Sequence, residues 1–172
     1  MLFSLGERTR SGDVVDLLLA CHHRVREHLA IARRLAQAPA EPPLDSIRAA
    51  ACRVRTYFST AFRLHRQDEE QDIFPRLLGR SDELDAAVGE LLHDHEDHER
   101  HIAAIVELCA VLEHHPSRLP AVAADLAEHV HVLEGELTAH ILLEEQTMFP
   151  AIAKMSEAER EQIHECMRAR RR

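Results

Sequence analysis

Four stretches of this chain repeat their apolar residues at a period near 3.6, each over roughly 24 to 34 residues, which is helix length and far beyond strand length. The first opens after Asp13 as N-cap and runs to about Ala36, and the following Gln37 to Pro43, QAPAEPP, is a break. The second runs from near Leu44 to Phe74, where Pro75 disturbs it. Ser81 with Asp82 and Glu83 opens a third, lasting to about His115 before Pro116, and the fourth extends from near Leu119 to Phe149 before Pro150. Ser156 and Glu159 form a capping-box pattern for a short fifth helix that ends among arginines. Long helices joined by short polar connections pack as antiparallel neighbours. The expected architecture is therefore all-α, an up-down antiparallel four-helix bundle with a short C-terminal fifth helix. Residues 1–172 read as one domain, with a bundle core over about 13–153 and a helix with a basic tail over 156–172.

Composition narrows the function. The net charge of -9 argues against nucleic acid, whose binding rests on neutralising phosphates with Lys and Arg, and five Phe and one Tyr without Trp leave little surface for stacking bases. The run Arg168 to Arg172 reads as a solvated tail. No apolar run approaches the ~18 residues of a membrane span, and Glu7 and Arg8 interrupt the N-terminus before a signal-peptide core could form. A cytoplasmic location without membrane contact is expected. Cys21, Cys52, Cys109 and Cys166 stand singly, which suggests small buried hydrophobes rather than a disulfide framework or zinc ribbon. The outlying number is 14 His.

Placed on a wheel at 100° per residue, those histidines interrupt every apolar stripe. The stripes read Val15, Leu18, His22, Val25, Leu29, Ala32; then Ile47, Ala51, Val54, Phe58, Phe62, His65, Glu69, Ile73. The third reads Leu84, Val88, Leu91, His95, Glu99, Ile102, Val106, with His98 at its margin, and the fourth Val122, Leu126, His129, Leu133, His140, Glu144, Ala151. Imidazoles and carboxylates do not enter a bundle core unpaired, because an uncompensated buried charge costs more than a core position contributes. Lys and Arg are missing from those positions, so a metal is the natural counter-charge.

An internal repeat concentrates the pattern. His65 to Pro75 (HRQDEEQDIFP) matches His140 to Pro150 (HILLEEQTMFP) at an offset of 75, and His22 matches His95 at an offset of 73. Each copy is a helix pair bringing one lone His and one HxxxE, and His and Glu four apart share a helix face. Two copies related by an approximate two-fold place four His and two Glu at one level of the bundle, where a metal pair is the simplest occupant. Mixed imidazole and carboxylate donors suit iron or manganese better than structural zinc.

These paired HxxxE elements with two lone upstream histidines resemble the hemerythrin-like family, the HHE cation-binding domain, over about residues 13 to 153. The resemblance implies a non-haem di-iron centre, oxo- or hydroxo-bridged, with His22, His65, His95 and His140 as terminal ligands and Glu69 and Glu144 as bridging carboxylates. Oxygen carriers of the family have HxxxH on the third helix, whereas this chain has His95-xxx-Glu99, so Glu99 is expected as a seventh ligand with His98 as its competitor. An anionic ligand there would favour the oxidised irons and leave about one open position of about twelve, tilting the chemistry from reversible carriage towards a sensor, scavenger or redox enzyme.

Bland readings stand beside these. His23, His28, His93, His101, His114, His115, His131 and His164 lie off the stripes as solvated or capping residues, and His129 is a satisfied core histidine. Tyr57 packs or meets a metal-bound oxygen species; Glu136 orients an imidazole or is solvated. Glu70, Glu145, Gln71 and Gln146 point outward and repeat through duplication alone. The expected function is binding of dioxygen, or a related diatomic or peroxide ligand, for sensing, storage or delivery. The alternatives are an enzyme acting on peroxide or nitric oxide, an iron donor for iron-sulfur repair, and a structural bundle with adventitious zinc.

Overall fold

The computed structural model describes residues 13–38 and 43–172; the N-terminal residues before Asp13 and the centre of the expected QAPAEPP break lie outside them. Among the described residues the regular structure is helical throughout: α1 (Val14–Ala36), α2 (Leu44–Ser59), α3 (Ala61–Asp68), a first π turn (Glu69–Ile73), α4 (Phe74–Leu77), α5 (Asp82–His114), α6 (Leu119–Leu143), a second π turn (Glu144–Met148), α7 (Phe149–Ala153) and α8 (Glu157–Ala169). Four rods form an all-α bundle: α1, then α2 through α4, then α5, then α6 through α7. Neighbours α1–α2, α2–α5, α5–α6 and α6–α1 close a square. Cross-links show each adjacent pair to be antiparallel: Glu27–Arg53 and His22–His65 between the first and second rods, Arg55–Glu113 and Glu70–His95 between the second and third, His101–His129 and Asp94–His140 between the third and fourth, and Arg33–Glu134 and His22–Glu145 between the first and fourth.

The second rod is not one uninterrupted helix. The Thr60 hydroxyl donates to the Thr56 carbonyl at 2.6 Å, displacing the helical bond there, and the Thr60 N–H turns to Tyr57 O instead. Pro75 and Pro150 also fail to end their rods. Each lacks an N–H, and the preceding π turn absorbs the defect, with Phe74 N–H bonding Glu69 O and Phe149 N–H bonding Glu144 O across five residues. The rod then continues as α4 or α7. Gly79, with φ 78°, turns the chain out of α4, where a Cβ would be strained.

Two apolar cores sandwich a polar layer. One, with Phe58, Phe62, Ile105, Leu112, Leu126 and Leu133 among its members, fills the end of the bundle on one side of that layer. The other gathers Leu18, Ile73, Phe74, Leu91, Met148 and Phe149 with Ile163 and Met167 of α8. The fifth helix begins with the expected box, Ser156 Oγ accepting from Glu159 N–H while the Glu159 carboxylate accepts from Ser156 N–H. Arg168 and Arg172 are exposed as a solvated tail would be, but the two arginines between them are docked. Arg170 and Arg171 both pair with Asp68, which is fully buried, and Arg170 also sits 2.7 Å from Asp72.

Candidate metal centre

Between the two cores lie His22, His65, Glu69, His95, His140 and Glu144, all buried. Each glutamate reaches two imidazoles with different oxygens. Glu69 places Oε1 3.1 Å from His65 Nε2 and Oε2 3.5 Å from His95 Nε2. Glu144 places Oε2 2.9 Å from His22 Nε2 and Oε1 3.5 Å from His140 Nε2. Two donor groups within cation-holding distance result, His22 with His65, Glu69 and Glu144, and His95 with His140 and Glu69. Glu69 belongs to both, and Glu144 touches a histidine of each. Two carboxylates, each spanning the same pair of imidazole sets, form the donor pattern of a dinuclear site.

The imidazole tautomers explain why the layer wants a cation. His22 Nδ1 donates to Glu145 Oε1 at 2.9 Å, His95 Nδ1 to Glu70 Oε1 at 2.8 Å, and His140 Nδ1 to Asp94 Oδ2 at 3.0 Å. With Nδ1 engaged by these carboxylates, each ring directs its other nitrogen, Nε2, at the layer. Among the described residues, His22 Nε2 and both Glu144 oxygens are buried without a hydrogen-bond partner despite their proximity. Orphaned polar atoms of both kinds facing one point fit a metal ion.

Electrostatics agree. Burial drives the His65 imidazole down to about 3, and burial with the neighbouring His140 drives His95 down to about 4, so both stay neutral as ligands must. Burial and the Glu144 charge push the Glu69 carboxyl well above its ordinary range. Burial also opposes the Glu144 charge, yet His140 and His22 hold that carboxyl well below its usual range. Their surroundings thus push the two facing carboxyls in opposite directions.

The HxxxEExxxFP repeat is thereby accounted for at its shared positions. Its first Glu faces the layer, its second Glu grips the lone His of another rod, and its Phe stacks behind that same His. Phe74 lies 5.9 Å from His95 and Phe149 5.4 Å from His22, both nearly parallel. Glu70 and Glu145 are thus not repeated through duplication alone. A sequence signal existed in the paired EE; the direction of the second Glu was hidden because a straight wheel cannot represent a π turn. Asp94 was missed altogether, and the offset of 73 that equates His22 with His95 equates it with Cys21. Among the described residues, no carboxylate stands behind His65 in this way, and its Nδ1 is unpartnered.

Glu99 is not brought to the layer. Its side chain is 59% exposed and its Oε2 meets Arg66 at 3.1 Å. The central stripe of buried positions in α5, flanked by the also buried Ala87 and His101, runs Leu84, Val88, Leu91, His95, His98, Ile102, Ile105, Cys109, Leu112 in alternating steps of four and three, so it passes through His98 and leaves Glu99 outside. His98 is buried with its ring centroid 5.1 Å from that of His140, but belongs to neither donor group. His101 is also buried, its Nδ1 3.0 Å from His129 Nδ1, contrary to its expected solvation. Tyr57 packs, stacked on His28 at 3.9 Å. Cys21 and Cys109 are buried as expected, whereas Cys52 and Cys166 are only half-buried.

Beside the layer, a cavity of about 10 Å³ is lined by His65, Glu69, His95 and His140 with Phe62 and Arg66. Phe62 and Arg66 also line an outer groove of about 570 Å³. No described helix is long and apolar enough to cross a membrane.

The chain is 29% identical over 155 residues to the iron-sulfur cluster repair protein DnrN of Neisseria gonorrhoeae, a match covering 81% of this chain and 97% of that protein. The family model of the hemerythrin HHE cation-binding domain matches residues 13–113, more than half of the chain. By that match, and with a buried His and Glu layer suited to cations, the chain belongs to the hemerythrin HHE cation-binding domain family.

Proposed function

We propose that the buried layer holds two iron ions and that the protein supplies iron for the repair of damaged iron-sulfur clusters. The observation that carries the dinuclear part is the span of Glu69 and Glu144, each with one oxygen toward each imidazole set. The repair part is supported by the relative's match over nearly its whole length. Bound there, the pair would supply exchangeable ferrous iron and a redox couple. His22, His95 and His140 present Nε2 because Glu145, Glu70 and Asp94 hold their Nδ1 protons. Glu69, shared by both donor groups, would hold either cation, and Phe62 and Arg66 line both the small cavity beside the layer and the outer groove. Anaerobic reconstitution with ferrous iron should give two irons per chain, and the loaded protein should restore activity to a hydratase whose cluster was damaged by peroxide or nitric oxide. His65→Ala and Glu144→Ala should do neither. One tetrahedral zinc, or an iron-loaded protein that leaves the damaged hydratase inactive, would overturn the corresponding half.

A second reading, binding of dioxygen or a related small oxidant, is favoured by the position of Glu99. With that anionic group at the surface, six side chains rather than seven surround the layer and the case against reversible binding loses its carboxylate. Optical spectra of the reduced protein before and after oxygen test it: a reversible change supports binding, and irreversible oxidation excludes carriage.

A further inference from the structure

The two copies of the repeat are alike where they face the cation layer and unlike on one other side. In the first copy, Asp68 and Asp72 flank Glu69; at the offset of 75 the second copy has Leu143 and Thr147. Asp68 is fully buried and Asp72 is 6% exposed. Two buried carboxylates next to a third would expel one another and Glu69 from the core unless something neutralised them.

The neutralising groups come from the far end of the chain. Arg171 makes a two-pronged contact with Asp68, and Arg170 divides its guanidinium between Asp68, Asp72 and Gln71 Oε1 at 3.1 Å. Arg171 is itself braced, its Nη1 donating to Met167 O at 2.6 Å. Beneath them, Ile163 and Met167 of α8 pack into the same core as Ile73 and Phe74, which close the first π turn. A turn with irregular backbone hydrogen bonds is thus held from outside by two planar forks and from below by apolar packing.

We propose that Arg170 and Arg171 are positioning residues for the metal centre, acting through Asp68 and Asp72 to fix the first π turn and so the direction of Glu69. The inference rests on the reading that Glu69 holds metal. Removing the forks leaves uncompensated carboxylates in the turn that carries a ligand shared by both donor groups, so the turn swings towards solvent and takes Glu69 with it. Iron retention is therefore coupled to the seating of α8, and displacement of α8 would release iron. The second π turn, without acids at the matching positions, needs no such clamp.

The test uses the full chain loaded anaerobically with ferrous iron. Arg170→Gln combined with Arg171→Gln should lose iron to a ferrous chelator about tenfold faster than the parent or more, and should alter the Mössbauer signature of the retained iron. Arg170→Gln alone, which leaves Arg171 on Asp68, should fall between and keeps the test usable if the double variant does not fold. Adding Asp68→Leu and Asp72→Thr, the residue types of the second copy, removes the stranded charges and should restore the parent rate. Parent-like release and spectra in the arginine variants, with only a lower melting temperature, would overturn the proposal by reducing α8 to a structural prop. So would four-fold substituted protein that still loses iron fast. A parent chain that binds no iron would overturn the metal reading itself, a result visible before any variant is made.

Discussion

At the scale of single residues, the direction of an imidazole is decided by what stands behind it. Asp94, Glu70 and Glu145 each accept an Nδ1 proton, so Glu70→Gln, Glu145→Gln and Asp94→Asn should each weaken metal binding about 10- to 100-fold while leaving the fold intact. Competition against a chelator of known affinity, with circular dichroism as control, measures this; unchanged affinity in all three would show that the imidazoles need no orientation. Glu99→Gln should behave like the parent in iron content, spectrum and potential, since its carboxylate meets Arg66 at the surface and exposed ion pairs contribute little. A shifted potential in that variant would return Glu99 to the centre. The same contrast marks the limit of sequence reading at this scale: six of the seven candidate side chains lie together in the buried layer where the stripes put them, and Glu99 does not, because the stripe of α5 alternates steps of three and four and takes the step of three from His95 to His98.

At the scale of elements, the rods depart from straight helix where the sequence puts a residue that cannot make the regular bond. Thr60 diverts a carbonyl, Pro75 and Pro150 lack a donor, and Gly79 adopts φ 78° to leave the second rod. The space around a Cβ at Gly79 is open, so Gly79→Ala should cost only the backbone strain, about 1 kcal/mol. Urea unfolding at fixed metal content measures it; a cost near zero would mean that the turn relaxes. The prolines were legible as interruptions but not as π turns, because whether a missing donor ends a helix or widens one turn depends on the core that waits for Phe74 and Phe149.

At the scale of the whole molecule, stability should depend on pH through the buried imidazoles. Burial holds His65 at about 3 and His95 at about 4, below the ordinary 6.5 that applies once the chain unfolds. Between pH 6.5 and about 4 the unfolded chain therefore takes up protons at these positions that the folded chain refuses, and stability falls as pH drops through that window. His140, raised by Glu144 and Asp94 against the effect of burial, offsets part of the loss. Metal-loaded protein should melt higher at neutral pH and lose its advantage more steeply on acidification, because protons and cation compete for the same Nε2 lone pairs. Melting curves of both forms from pH 8 to 4 check this, and a loaded form no more acid-sensitive than the metal-free form would count against histidine ligation.

Periodicity, caps and an internal repeat were enough to determine an all-α bundle and the six side chains that gather in its middle, since both follow from which residues share a helix face. Tertiary structure alone decided the rest. That Glu70 and Glu145 grip the lone histidines depends on π turns rotating one rod against another. That Glu99 lies outside and His98 inside depends on how α5 winds against its neighbours. That Arg170 and Arg171 reach Asp68 depends on α8 folding back over about 100 residues of intervening chain. A helix face is a local property, set by residues within a few turns, whereas the partner across an interface is set by the packing of the whole bundle.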